Sequence, residues 1–96
     1  MYIYILTDGE YHKIGVSKDP RRRVKQLQTA SAGSLSIIKT YNVPSKIARK
    51  LEQQLHKMFW QRRKRFNGEW FNLTQQHLDV IDEWLANYTV AEQKLN

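Results

Sequence analysis

The chain opens on two short runs in which aromatic and β-branched residues dominate, Tyr2 to Thr7 and Tyr11 to Val16, separated by the turn signal Asp8-Gly9. That pattern predicts a β-hairpin, and the strand period of two puts Tyr2, Tyr4 and Leu6 on one face. Asp19-Pro20 then supplies a capping residue and a proline at the first helical position, so a helix begins there and runs to about Thr29, with Val24 and Leu27 as its buried stripe. Ala30 to Ser34 is small and polar and reads as a loop, and Leu35 to Val43 alternates as a third strand closed by Pro44. Ser45 can cap a second helix in which Ile47, Ala48, Leu51, Leu55, Met58 and Phe59 recur at helical spacing. Arg62 would fall within that stripe, so the helix stops or bends near Trp60 or Gln61. Glu69 to Leu73 is a short extended segment in which Trp70 and Phe71 read as core, and Thr74 caps a last helix with Leu78, Ile81, Leu85 and Tyr88 on one side. The order β-β-α-β-α-(short β)-α predicts an α+β fold: a small antiparallel sheet of about three strands flanked by helices. Residues 1–90 form the single domain expected of 96 residues, and 91–96 a frayed tail.

Charge adds a direction to this picture. Fifteen of the sixteen Lys and Arg lie between Lys13 and Arg65 against two acids there, Asp19 and Glu52, a net +13; the remainder of the chain carries −6. A small domain polarised in this way has the electrostatic signature of phosphate-backbone binding. The chain contains no Cys, which excludes disulfide scaffolds and thiolate zinc sites and fits a reducing compartment. No apolar run nears the roughly 18 residues of a membrane span, and the amino terminus lacks a signal-peptide pattern, so the expectation is a cytoplasmic protein whose partner is DNA rather than a membrane.

Two positions stand out chemically. Among the consecutive arginines Arg21-Arg22-Arg23, Arg22 points away from the Val24 and Leu27 stripe, whereas Arg23 borders it, where the stem can lie on the core and hold the guanidinium fixed for a phosphate. Glu52 is the only acid between Asp19 and Glu69, and lies at the border of its helix with His56 next in the same row. A carboxylate in a phosphate-attracting surface suits Mg²⁺, which takes one or two carboxylates plus water and phosphate oxygens, although a surface acid in a basic helix has the same pattern. Glu-x-x-x-His without a third ligand is weak as a zinc signal.

Tyr2-Ile3-Tyr4, Lys13-Ile14-Gly15, Arg23, Glu52 with His56, and Gly68-Glu69-Trp70-Phe71, in that order, resemble the GIY-YIG nuclease superfamily, and most closely a short phage-associated branch often described as a phage DNA-binding domain. The resemblance spans most of the chain. It implies a GIY-YIG-like fold and hydrolysis of a DNA phosphodiester with one divalent ion, Mg²⁺ or Mn²⁺, held by Glu52, with Arg23 neutralising charge on the phosphate and Tyr4 positioning or activating water. It also implies backbone contacts from Lys18, Arg21, Arg49, Lys50, Arg63 and Arg65, in a bacterial or phage-infected cell. Tyr2 replaces a glycine of the first motif. Lys13 replaces the tyrosine proposed to activate water in several relatives, so the base lies open among Tyr4, Tyr11 and His56, and Lys13 can itself hold a phosphate. Asn67 and Asn72 are both candidates for the asparagine that often completes the family site. A DNA-binding module with the same fold and no turnover is the alternative.

Overall fold

The computed structural model describes residues 1–31, 33–63 and 70–90. The hairpin forms as expected: β1 (Tyr2–Thr7) pairs antiparallel with β2 (His12–Ser17), with Tyr4 opposite Gly15 and Leu6 opposite Lys13. Its turn is held by side chains. Asp8 Oδ1 accepts from the amides of Glu10 (2.9 Å) and Tyr11 (2.7 Å), Thr7 Oγ1 accepts from Gly9 N (3.0 Å), and Gly9 takes φ = 101°, a region that favours glycine.

After β2, Asp19 Oδ1 accepts from Arg22 N at 3.2 Å and Pro20 begins α1 (Pro20–Gln28). The third strand, β3 (Ser36–Asn42), pairs antiparallel with β1 and shifts register at Ile5/Leu6. Helix α2 (Ser45–Met58) starts behind Pro44 with no side-chain cap, so Ser45 is its first residue rather than its cap. A 3-10 turn at Trp60–Arg62 follows, which accounts for the break in the apolar stripe; Met58, expected in the core, is 45% exposed. Thr74 caps α3 (Gln75–Ala86) reciprocally, its Oγ1 accepting from His77 N and its own amide donating to His77 Nδ1.

The fold class is the expected one, but the sheet has four strands instead of about three, in the order β3-β1-β2-β4, because the short segment β4 (Trp70–Phe71) pairs with His12 and Lys13. The expected tail, 91–96, lies outside the described residues, as do Ala32 and residues 64–69.

Strand alternation sorts the sheet into two unlike faces. Ile3, Ile5, Ile14, Tyr41 and Phe71 meet Ala48, Leu51, Leu55 and Phe59 of the α2 region and Ile81 and Leu85 of α3 in one contiguous core. Each fully buried aliphatic or Phe side chain there contributes about 1.5–3 kcal/mol of hydrophobic stabilisation. The other face carries Tyr4, Leu6, Lys13 and Gly15 and is covered by α1 through Pro20, which is buried, and Val24 and Leu27, which are half-buried. On the α3 side Lys39 pairs with Asp82, and the Tyr41 hydroxyl donates to Asp82 at 3.2 Å. The hydrogen bond from Lys39 holds the Asp82 carboxyl below its ordinary value, while burial and then Asp82 push the Tyr41 phenol well up. Among the described residues no helix is long and apolar enough to cross a membrane.

His12 faces the core side opposite Thr7 and Phe71, with its Nδ1 buried and no hydrogen-bond partner among the described residues. Burial holds its imidazole below the ordinary value of 6.5, opposed in part by the charge of Asp8. Below pH 6.5 the unfolded chain therefore binds more protons than the folded one, so His12 costs stability as pH falls from 6.5 toward its folded value. The expected outcome is that His12→Gln narrows the loss of unfolding free energy between pH 7 and pH 5, read by urea denaturation; an unchanged loss would place the acid sensitivity elsewhere.

Candidate active site at the edge of β2

The site begins with a glycine. A Cβ built on Gly15 would fall inside the van der Waals contact of Tyr4 Cζ and Oη, so the phenol lies directly across the Gly15 backbone, and Tyr4 is only 2% exposed. No other residue leaves room for that crossing. It carries the Tyr4 hydroxyl from β1 over to β2, which is next to the edge of the sheet.

Among the described residues β4 pairs with His12 and Lys13, and at Ile14 a side chain meets the strand: His56 Nε2 lies 2.9 Å from the Ile14 carbonyl. A carbonyl only accepts, so Nε2–H donates and, in the neutral ring, Nδ1 holds the lone pair. The imidazole also packs on Phe71, with ring centroids 5.2 Å apart.

His56 fixes the direction of α2 against the strand. Arg62 and Arg63, beyond the helix, line a cavity of about 280 Å³ with Tyr11 and Asn72 at the turn end of β2, whereas His56 is level with Ile14, so α2 runs antiparallel to β2. Glu52 is one turn, about 6 Å, before His56, which is about two strand residues. This brings the half-buried Glu52 level with Gly15 and Val16, where the Tyr4 ring crosses. Arg49, exposed, is on the same flank of α2 as Glu52 and His56, whereas Lys50 faces away from the sheet.

Helix α1 approaches the same edge from the other face. Arg21 and Arg23 stand on opposite flanks of its Pro20, Val24 and Leu27 stripe. Arg21 faces β3, lining with Lys18, Tyr2 and Thr40 a groove of about 810 Å³, so the flank carrying Arg23 faces β2. Arg23 itself is exposed and donates from Nη1 to Gln26 Oε1 at 3.4 Å. Arg23 is thus on the β2-facing flank of α1, on the opposite face of the sheet from Glu52.

The other expected residues divide. Lys13 is 9% exposed, on the Tyr4 face, with its ammonium 6.0 Å from the Trp70 ring. Trp70 is accordingly half-buried on that face, while Phe71 points the opposite way into the core; the two were expected in the core together. Tyr11 stands one residue before β2, half-buried at the Arg62-Arg63 cavity rather than within the strand. Of the two asparagines, Asn72 faces that cavity, its backbone taken by Arg62 through the Asn72 N to Arg62 O bond (2.8 Å) and the Arg62 Nε to Asn72 O bond (3.0 Å). Arg63 lays its guanidinium 3.5 Å from the Trp60 ring centroid, a contact with no signal in the sequence periodicity. Arg65, Asn67 and Gly68-Glu69 lie outside the described residues.

Fold and site together define a small α+β domain with a four-stranded antiparallel sheet and basic side chains on the helices that cover it. The chain belongs to the T5orf172 domain family, whose model matches residues 1–89, a phage-associated, nuclease-related family of DNA-associated domains. No curated protein and no solved structure matches it.

Because a Cβ at Gly15 would force the buried Tyr4 ring to shift, Gly15→Ala is expected to lower stability by about 1–3 kcal/mol in chemical denaturation. In a Tyr4→Ala background the same change should cost measurably less; equal costs would mean that the two residues do not constrain each other.

Proposed function

We propose that this domain is a divalent-metal-dependent DNA endonuclease of the GIY-YIG type, hydrolysing phosphodiester bonds inside a bacterial or phage-infected cell. The observation that supports it is that three separate elements address β2: Tyr4 crosses it at Gly15, the Glu52 row of α2 runs along it through His56, and the Arg23 flank of α1 faces it.

Among the described residues no three His, Cys, Asp or Glu side chains gather as a ready-made metal cage. One half-buried carboxylate beside a surface open to phosphate nevertheless fits Mg²⁺ or Mn²⁺, which leave most of their coordination to water and substrate oxygens. Glu52 holds the ion, which when bound supplies charge stabilisation for the leaving oxygen. Tyr4, wedged across Gly15, orients the attacking water and competes with Tyr11 and His56 for the role of base. Arg23 neutralises the charge that grows on the phosphate oxygens, and Lys13, Lys18, Arg21, Arg49, Lys50 and Arg63 hold the flanking backbone without reading sequence.

Lys13 favours a second reading, a DNA-binding module without turnover. It occupies the second-motif position at which related nucleases carry a tyrosine, and it is buried beside Trp70.

Incubation of supercoiled and single-stranded DNA with Mg²⁺, Mn²⁺ or EDTA separates the readings: metal-dependent cutting supports the nuclease, and salt-sensitive binding without cutting supports the module. Glu52→Gln is expected to abolish cutting while leaving DNA affinity unchanged or slightly higher, since it removes an anion from a cationic surface. Arg23→Ala should lose both. Cutting by Glu52→Gln at the wild-type rate would remove the metal site from Glu52. Both readings further expect the DNA association constant to fall steeply with salt, with a log-log slope of several units.

A further inference from the structure

At the end of α2, beside the Arg62-Arg63 cavity, lies a second surface. Met58, Trp60 and Val80 are 45%, 54% and 47% exposed, and they line a shallow groove of about 660 Å³ between the end of α2 and α3. Three large apolar side chains this exposed on so small a domain form a patch of the kind that marks a binding surface. The charges around it have one sign: Lys57 and Arg62 line the groove, and no acid among the described residues does.

Trp60 gives the patch its chemistry. The Arg63 guanidinium stands 3.5 Å from the ring centroid and covers one face of the indole. With that face covered and the residue still more than half exposed, the other face is open to solvent. The cation on the back both fixes the ring orientation and polarises it. An aromatic platform held flat and bordered by the cations Lys57 and Arg62 accepts a nucleobase on its face and phosphates at its rim. A base in a duplex has both faces covered by its neighbours, so only an unpaired base can use it.

We infer that Trp60 is a stacking platform for unpaired bases, and that the preferred substrate of this domain contains single-stranded DNA. The inference rests on the DNA reading proposed above and adds a strand preference to it.

The test measures binding of the whole chain to a labelled oligothymidine and to a duplex of equal length at one salt concentration, by fluorescence anisotropy. Wild type, Trp60→Ala and Trp60→Phe are compared after circular dichroism has shown equal folding. Trp60→Ala should weaken oligothymidine binding about 5- to 150-fold and change duplex binding less than about two-fold, with Trp60→Phe retaining most of the affinity. Equal effects on both DNA forms, or none on the oligothymidine, would overturn the platform while leaving the DNA reading intact. Absence of salt-sensitive binding to either form by wild type would overturn both.

Discussion

The arrangement of this domain depends on one contact, the Tyr4 ring lying across the backbone of Gly15. A tyrosine on the α1 face of the sheet would ordinarily stand upright among its neighbours. Here the missing side chain on β2 lets it lie down, so a residue that is 2% exposed brings its hydroxyl to the neighbouring strand. Tyr4 is thereby both a packing element and a polar group with a defined position, and the two roles are inseparable. A larger residue at Gly15 would lift the phenol, and with it the site.

The second constraint is the bond from His56 to β2. Its ring donates to the Ile14 carbonyl and packs on Phe71, so the C-terminal half of α2 is pinned to that strand. Glu52, one helical turn earlier, takes its height along β2 from the same bond. An edge is also accessible to a bulky polyanion in a way that an enclosed pocket is not, and no deep enclosed cavity is needed for a phosphate to approach.

Much of this is legible in the sequence because the strongest local signals agree with the fold: the Asp-Gly turn, the Asp19-Pro20 start of α1, the Thr74 cap and, Met58 apart, the apolar stripe of α2. The misses have identifiable causes. Ser45 looked like a cap because serine often is one, but the chain turns one residue earlier at Pro44 and the hydroxyl is not used. The expected sheet of about three strands falls one short because a pair of residues has too little alternation to distinguish a strand from an extended loop. Trp70 was assigned to the core along with Phe71, yet adjacent strand residues point to opposite faces, and Trp70 covers Lys13 instead. Trp60 and Arg63 could not be paired from spacing, since the helical period that would relate them ends at Met58.

The same limits bear on Glu52. Glu52 is isolated among basic residues, but a half-buried carboxylate with Arg49 three residues before it and His56 four after it on one helix flank would be compensated locally whatever its purpose. A folding role predicts only that some cation is near. It does not predict that the carboxylate sits level with the one glycine over which a buried tyrosine is laid, nor that the arginine flank of a helix on the opposite face turns toward the same edge. Acids elsewhere in the described fold are gathered differently: Asp79, Asp82 and Glu83 lie on α3, and Asp82 is tied to Lys39 and Tyr41 at the far side of the sheet. The position of Glu52, more than its charge, is therefore what sets it apart from the other carboxylates of the domain.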